Sequence, residues 1–318
     1  MSINRLGKYI NLFTDFGFKR IFGTEKNKDL LIDFLNTLLE KEISPIQRLT
    51  YLNNERLGKQ AKDRKAFFDL YCENQQGEKF IIELQKAEQA FFKDRSIYYA
   101  TFPIQEQALK GKWNYELTPV YTISIMNFIF DNDFPEQVIS RVELRERDTN
   151  RLFFDKLKFV YIEIPKFHKK NTELQSNLDK WLYVFRNMHQ LEKMPNEVQQ
   201  GVFLKLFKEC EIAQYKPKEL MEYEQSWKEL NDMFAVLSTA EKKGERIGIE
   251  KGERIGIEKG ERIGIEKGER IGIEKGERIG IEKIAINAIK KGFDNVIIQE
   301  LTGLDIASIE RIRKNLNK

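Results

Sequence analysis

Apolar and polar side chains alternate along residues 65–86, KAFFDLYCENQQGEKFIIELQK, on both sides of the short polar stretch NQQG. This alternation predicts two strands joined as a hairpin. A three-residue loop of Gln75, Gln76 and Gly77, with the glycine in the left-handed last position, is a common connection. It pairs Asn74 with Glu78 and so sets the register: Asp69 falls opposite Glu83, and Phe67 opposite Gln85. Those four share one face with Tyr71 and Ile81, while Phe68, Leu70 and Cys72 meet Phe80, Ile82 and Leu84 on the other. Two opposed carboxylates with Cβ atoms about 5 Å apart repel each other unless something positive sits between them. An exposed, solvated strand face is the plain alternative. The company of Tyr71 and Ile81 argues for partial burial, where unpaired acids are costly. Lys86 is expected on the opposite face and Lys65 two pairs away from Asp69, so a hard divalent cation is the candidate counter-charge.

The rest of the chain divides by its patterns. Leu30, Leu31, Phe34, Leu35, Leu38 and Leu39 recur at helical spacing within residues 1–55, after the segment FGFKRIFG. A helix is expected from about 88 to 110, capped by Gly111 and kinked at Pro103. The apolar runs 119–130 and 157–164 read as strands, the first so continuously apolar that it belongs in the middle of a sheet. Residues 171–243 turn helical, with WLYVF, VFLKLF and ELNDMFAVL as apolar faces. Residues 244–283 are five perfect copies of GERIGIEK, each electrically neutral. Its glycines cost a helix about 1 kcal/mol each, and its isoleucines advance by about 80° per repeat instead of forming a stripe. The expected structure is a helical spacer, with a self-associating stalk as the alternative. Residues 284–318 read as a small helical, helix-turn-helix-like cap, its helices ending at Gly292 and Gly303. The last begins at an Asp305 N-cap and presents Arg311, Arg313, Lys314 and Lys318.

The motifs TDFGFKRIFG, FFDLYCENQQGEKFIIELQ, RSIYYATFPIQEQALKGKWNY, LTPVYTISIMNF, KFVYIEIPKF and LDKWLYVF occur in this order. Together they resemble the PD-(D/E)XK nuclease superfamily, in its transposase-like branch, the recombination-promoting nuclease (Rpn) family. The resemblance implies an α/β, restriction-endonuclease-like mixed sheet flanked by helices over residues 1–170, followed by an all-helical extension. It implies a Mg²⁺-dependent DNA endonuclease acting in recombination, transposase-like processing or defence against foreign DNA. Asp69 and Glu83 would hold the metal, aided by the Leu84 carbonyl, and the metal would activate water and polarise the scissile phosphate. Gln85 stands where the superfamily usually carries lysine; it can orient water but carries no charge. Asp15 is a candidate site acid or, alternatively, a helix cap. Arg95 is a candidate phosphate ligand or partner of a core acid, and Lys19 and Arg20 are candidates for contacting the DNA backbone. A catalytically inert, DNA-binding and oligomerising protein is the competing expectation.

Composition narrows this further. Net charge is +4, so any nucleic-acid surface must come from local clustering. Two cysteines, far apart in sequence, argue against a disulfide scaffold and for a reducing cytoplasm. MSINRLGKYI lacks an apolar signal region, and VYTISIMNFIF is too short to span a bilayer. No phosphate-binding glycine loop with lysine is present. His168 and His189 are the only histidines, too few for a histidine-based zinc site or triad.

Overall fold

The computed structural model describes residues 7–56, 66–108 and 114–316; Lys65, Gly111 and Lys318, each given a role above, lie outside the described residues. In chain order the elements of the first part are α1 (Asp15–Phe22), α2 (Lys28–Leu38), β1 (Leu49–Tyr51), β2 (Glu55–Arg56), β3 (Ala66–Phe67), β4 (Leu70–Asn74) and β5 (Lys79–Gln85). There follow α3 (Phe92–Glu106), β6 (Val120–Met126), β7 (Ile139–Arg145), β8 (Leu152–Glu163), α4 (Asn177–Asn187) and α5 (Val202–Cys210). The chain ends in α6 (Pro217–Lys290), α7 (Asn295–Thr302) and α8 (Ile306–Leu316). It forms two units, Met1–Ala235 and Val236–Lys318.

The first unit is built on a six-stranded mixed sheet of order β1-β4-β5-β6-β8-β7. β5, β6 and β8 run parallel, and β4 and β7 flank them antiparallel. All seven residues of β6 are buried, as its continuously apolar sequence required. Two strands of this sheet escaped the sequence pattern. β1 is only three residues long, and β7, ISRVELR, is an edge strand that intersperses charged residues with apolar ones, so neither shows an apolar run. β8 also starts five residues before the apolar run because it pairs with β7 there.

The hairpin forms in the expected register, Leu70 with Ile82 through Glu73 with Lys79, around Gly77 at φ +81°. Above Leu70 it departs from expectation. Phe67 pairs with Glu55 in a separate two-stranded ribbon, not with Gln85, and its side chain is 59% exposed. Phe68 joins Tyr71 and Ile81 rather than the Leu70 side. The reason is that side chains replace the ladder at this point: Asp69 Oδ2 accepts from Leu84 N–H at 2.7 Å, and Asp69 N–H donates to Glu83 Oε1 at 3.3 Å.

The two sheet faces are covered differently. Leu70, Cys72, Phe80, Ile82, Leu84, Tyr121, Ile123, Val160 and Ile162 face a large apolar core shared with α1, α2, α4 and α5. Phe22 stacks on Phe185 at 5.6 Å and Phe34 meets Trp181 edge-on at 5.5 Å, so the later helices share one core with the first two. Helix α3 covers the other face, where Ala100 packs with Met126, Phe159 and Tyr161, and Tyr99 and Phe102 pack with Phe68, Tyr71 and Ile81. It starts at Phe92, four residues later than expected, because Phe91 at φ +60° cannot continue a right-handed helix. Pro103 lies inside it.

In the second unit α6 carries all five repeats as helix, with Arg–Glu pairs four residues apart such as Arg246–Glu250 at 4.0 Å. The cap closes around Ala285, Ala288, Ile289, Ile298 and Ile309. Asp305 accepts from Ser308 N–H at 2.7 Å, and Gly292 and Gly303 take positive φ where the helices end. Arg313, expected to be presented outward, instead donates to Phe293 O at 2.9 Å and to Asn295. Among the described residues no helix is long and apolar enough to cross a membrane.

Candidate active site

The pleat of β5 sends Phe80, Ile82 and Leu84 into the large core and Ile81, Glu83 and Gln85 toward α3. Glu83 and Gln85 are nonetheless 7% and 6% exposed. Their neighbours along the sheet are Ser124 and Met126 of β6, both buried. Asp69, at the break before β4, is brought against Glu83 by the two crossed hydrogen bonds described above. The sequence-predicted pair therefore meets.

Gln85 extends the network. Its Nε2 donates to Glu83 Oε2 at 3.2 Å, and its Oε1 accepts from Arg95 Nη2 at 2.5 Å. Arg95 Nη1 donates to Gln89 Oε1. Its guanidinium lies 5.9 Å from the ring centre of Tyr99, whose ring meets Phe68 edge-on at 5.4 Å. Thus Tyr99 packs between the neighbour of Asp69 and the partner of Gln85. Tyr99 and Gln89 gave no signal of this in sequence, since their relation to the acids depends on where α3 lies across the sheet.

Burial dominates the electrostatics. It pushes the Glu83 carboxyl up to about 8, and the nearby Asp69 charge adds to the rise; the Asp69 N–H bond and Arg95 oppose it. Asp69 is raised too, first by burial and also by the Asp15 charge, with the Leu84 N–H bond, Lys19 and Lys86 pulling the other way. Lys86, expected on the far face, thus acts on Asp69 through space. Burial and then the Glu83 charge raise the Tyr99 hydroxyl.

The remaining candidates are placed as follows. Asp15 opens α1 but does not cap it: Thr14 Oγ1 accepts from Gly17 N–H at 3.0 Å, and Asp15 pairs with Lys19 at 2.8 Å. Lys19 is exposed. Arg20, expected to reach DNA, turns inward, bonding Glu219 at 2.5 Å and stacking 4.2 Å over Tyr215. Its guanidinium is committed to holding α1 against the start of α6, where Tyr223 Oη accepts from Asn11 N–H and Ser226 Oγ from Phe16 N–H.

Burial raises both carboxyls, and the Asp69 charge raises Glu83 further, so the site favours both anions only when a cation arrives. Among the described residues no group of three or more His, Cys, Asp or Glu side chains has metal-binding geometry. The donor set is therefore two carboxylates and nearby backbone carbonyls, which suits a hard ion that keeps several waters and takes substrate oxygens. An oxygen-only set fits a hard divalent ion such as Mg²⁺, whereas zinc sites usually include His or Cys.

The family profile described as PD-(D/E)XK nuclease family transposase matches residues 12–240, a span that contains the sheet, the acid pair and the helices around them. No curated protein and no solved structure matches the chain significantly.

Proposed function

The chain belongs to the PD-(D/E)XK nuclease family transposases, and we propose that it is a Mg²⁺-dependent DNA endonuclease hydrolysing phosphodiester bonds. Recombination, transposase-like processing and defence against foreign DNA are the roles that fit such an activity. The observation that carries the reading is the pair Asp69 and Glu83, both raised by burial, with Asp69 tied to β5 by hydrogen bonds to the Glu83 carboxylate and the Leu84 N–H.

Asp69 and Glu83 would hold the metal, with the Leu84 carbonyl as a further oxygen donor; when bound, the ion supplies charge for the scissile phosphate and an activated water. The protein's own groups set the stage for that step. Asp69 is oriented by the Leu84 N–H. Gln85 holds Glu83 through one N–H and keeps a second for orienting water. In the free protein Glu83, with its pKa near 8, keeps a proton at neutral pH and must release it when the cation enters. Asp15 contributes negative charge from the start of α1, and Lys19 beside it is an exposed cation for the DNA backbone. The repeats read as a spacer, with self-association through the exposed isoleucines as the partner role.

Nicking of supercoiled plasmid in Mg²⁺ tests this. Wild type should nick, and Asp69→Ala and Glu83→Ala should each lose on the order of 100-fold or more, the scale for removing a charge-stabilising group from an active site. Equal nicking by all three proteins would remove the site, and DNA binding without any cleavage would favour the inert scaffold.

A further inference from the structure

The acid pair concentrates negative charge, and an incoming phosphodiester adds another. Three cations act on the pair: Lys19 and Lys86 on Asp69, and Arg95 on Glu83. Lys19 is paired with Asp15. Arg95 is the one built into the hydrogen-bonded network, through Gln85 Oε1 and Gln89 Oε1. Both partners are neutral amides. They fix the plane and direction of the guanidinium without cancelling its charge, as a carboxylate would. The residue is only partly buried, and these two bonds use two of the five N–H donors of its fork. The rings of Tyr99 and Phe92, 5.9 and 5.7 Å from the guanidinium carbon, further restrict it. A guanidinium gripped at two nitrogens by neutral amides, and joined to Glu83 through Gln85, is suited to two-pronged capture of phosphate oxygens.

We propose that Arg95 is a catalytic residue that binds the scissile phosphate of the DNA backbone, with Gln85 and Gln89 as its positioning residues. The charge that Gln85 lacks on β5 is thereby delivered from α3. The proposal rests on the endonuclease reading above, and its test separates the two.

The first measurement is binding of a short DNA duplex over a salt series, in an Asp69→Asn background so that the DNA stays intact. Adding Arg95→Gln should weaken binding about 10-fold and reduce the slope of log affinity against log salt by about 0.9, one phosphate contact. An unchanged slope overturns the proposal. The second is nicking with Asp69 restored. Arg95→Gln should fall about 100-fold, and Gln85→Lys in that background, which returns a cation to the same network, should recover about 10-fold of it. Loss without any recovery, accompanied by an earlier melt, would assign Arg95 a structural role and overturn the proposal. Should Arg95→Gln fold poorly, Arg95→Lys carries the binding test, because it keeps the charge and must keep the salt slope. Nicking insensitive to Asp69→Asn sinks the endonuclease reading. Asp69-dependent nicking with an unchanged Arg95 salt slope sinks only the assignment of Arg95.

Discussion

The two faces of the sheet are made by the same strands and do opposite things. Successive β5 residues supply Phe80, Ile82 and Leu84 to one face and Ile81, Glu83 and Gln85 to the other. On the first, aromatic and aliphatic groups from α1, α2, α4 and α5 close without a buried acid from β5. On the second, α3 covers the strands while leaving Glu83 nearly without water and Asp69 half-buried beside it. One face gains stability by burying carbon, and the other gives some of it up to keep ionisable groups ready.

The largest effect should come from the apolar side. Phe80 is fully buried and stacked on Tyr121 at 5.1 Å, so Phe80→Ala should lower unfolding free energy by about 3–5 kcal/mol. Urea denaturation measures this, and a loss below about 1 kcal/mol would show that this face is not tightly packed.

A polar-face substitution should act in the other direction. A carboxyl raised to about 8 binds its proton more tightly in the folded protein than in the unfolded chain, where it sits near 4.5. Metal-free protein should therefore lose stability as pH rises from about 4.5 to about 8, and Asp69, also raised, adds to this with the same sign. Glu83→Gln should flatten the slope and melt higher than wild type at pH 8 while abolishing nicking. A wild-type melting temperature that climbs over this interval would contradict the assigned burial. Mg²⁺ binds the ionised pair, so it should raise the wild-type melting temperature more at pH 8 than near pH 5 and do little for Glu83→Gln. Equal shifts at both pH values would place the metal elsewhere.

The smallest effect tests the approach of α1 to the acids. Thr14→Ala removes the cap at the helix that carries Asp15 and should cost about 1 kcal/mol, with nicking reduced less than by any site substitution. No change in stability would mean that the helix start is held by its packing against α6.

Much of this contrast is readable before folding. Alternation and Gly77 specify the hairpin register from Leu70 to Glu73, and just beyond it Asp69 meets Glu83 through its backbone N–H instead of as a ladder pair. The apolar run at β6 is central for the reason its composition suggests. The ends of these patterns are less legible. Phe68 changes face because the Asp69 carboxylate takes over a backbone hydrogen bond, an exchange that no periodicity records. Arg20 reads as a surface cation from its neighbours, yet Glu219, 199 residues later, draws it inward. Among the Gly-rich repeats the period itself is plain, and the helix they form is continuous with α6.

The sequence by itself determined which residues face each other across the hairpin from Leu70 to the turn, because side-chain alternation and turn geometry act over a few neighbouring residues. Only the tertiary structure decided that α3 would lie across the acids and bring Arg95 to Gln85, because that contact depends on how a whole helix packs against a buried face. The same packing excludes water from Glu83, and the loss of hydration is what turns an ordinary carboxylate into one that holds its proton near neutral pH.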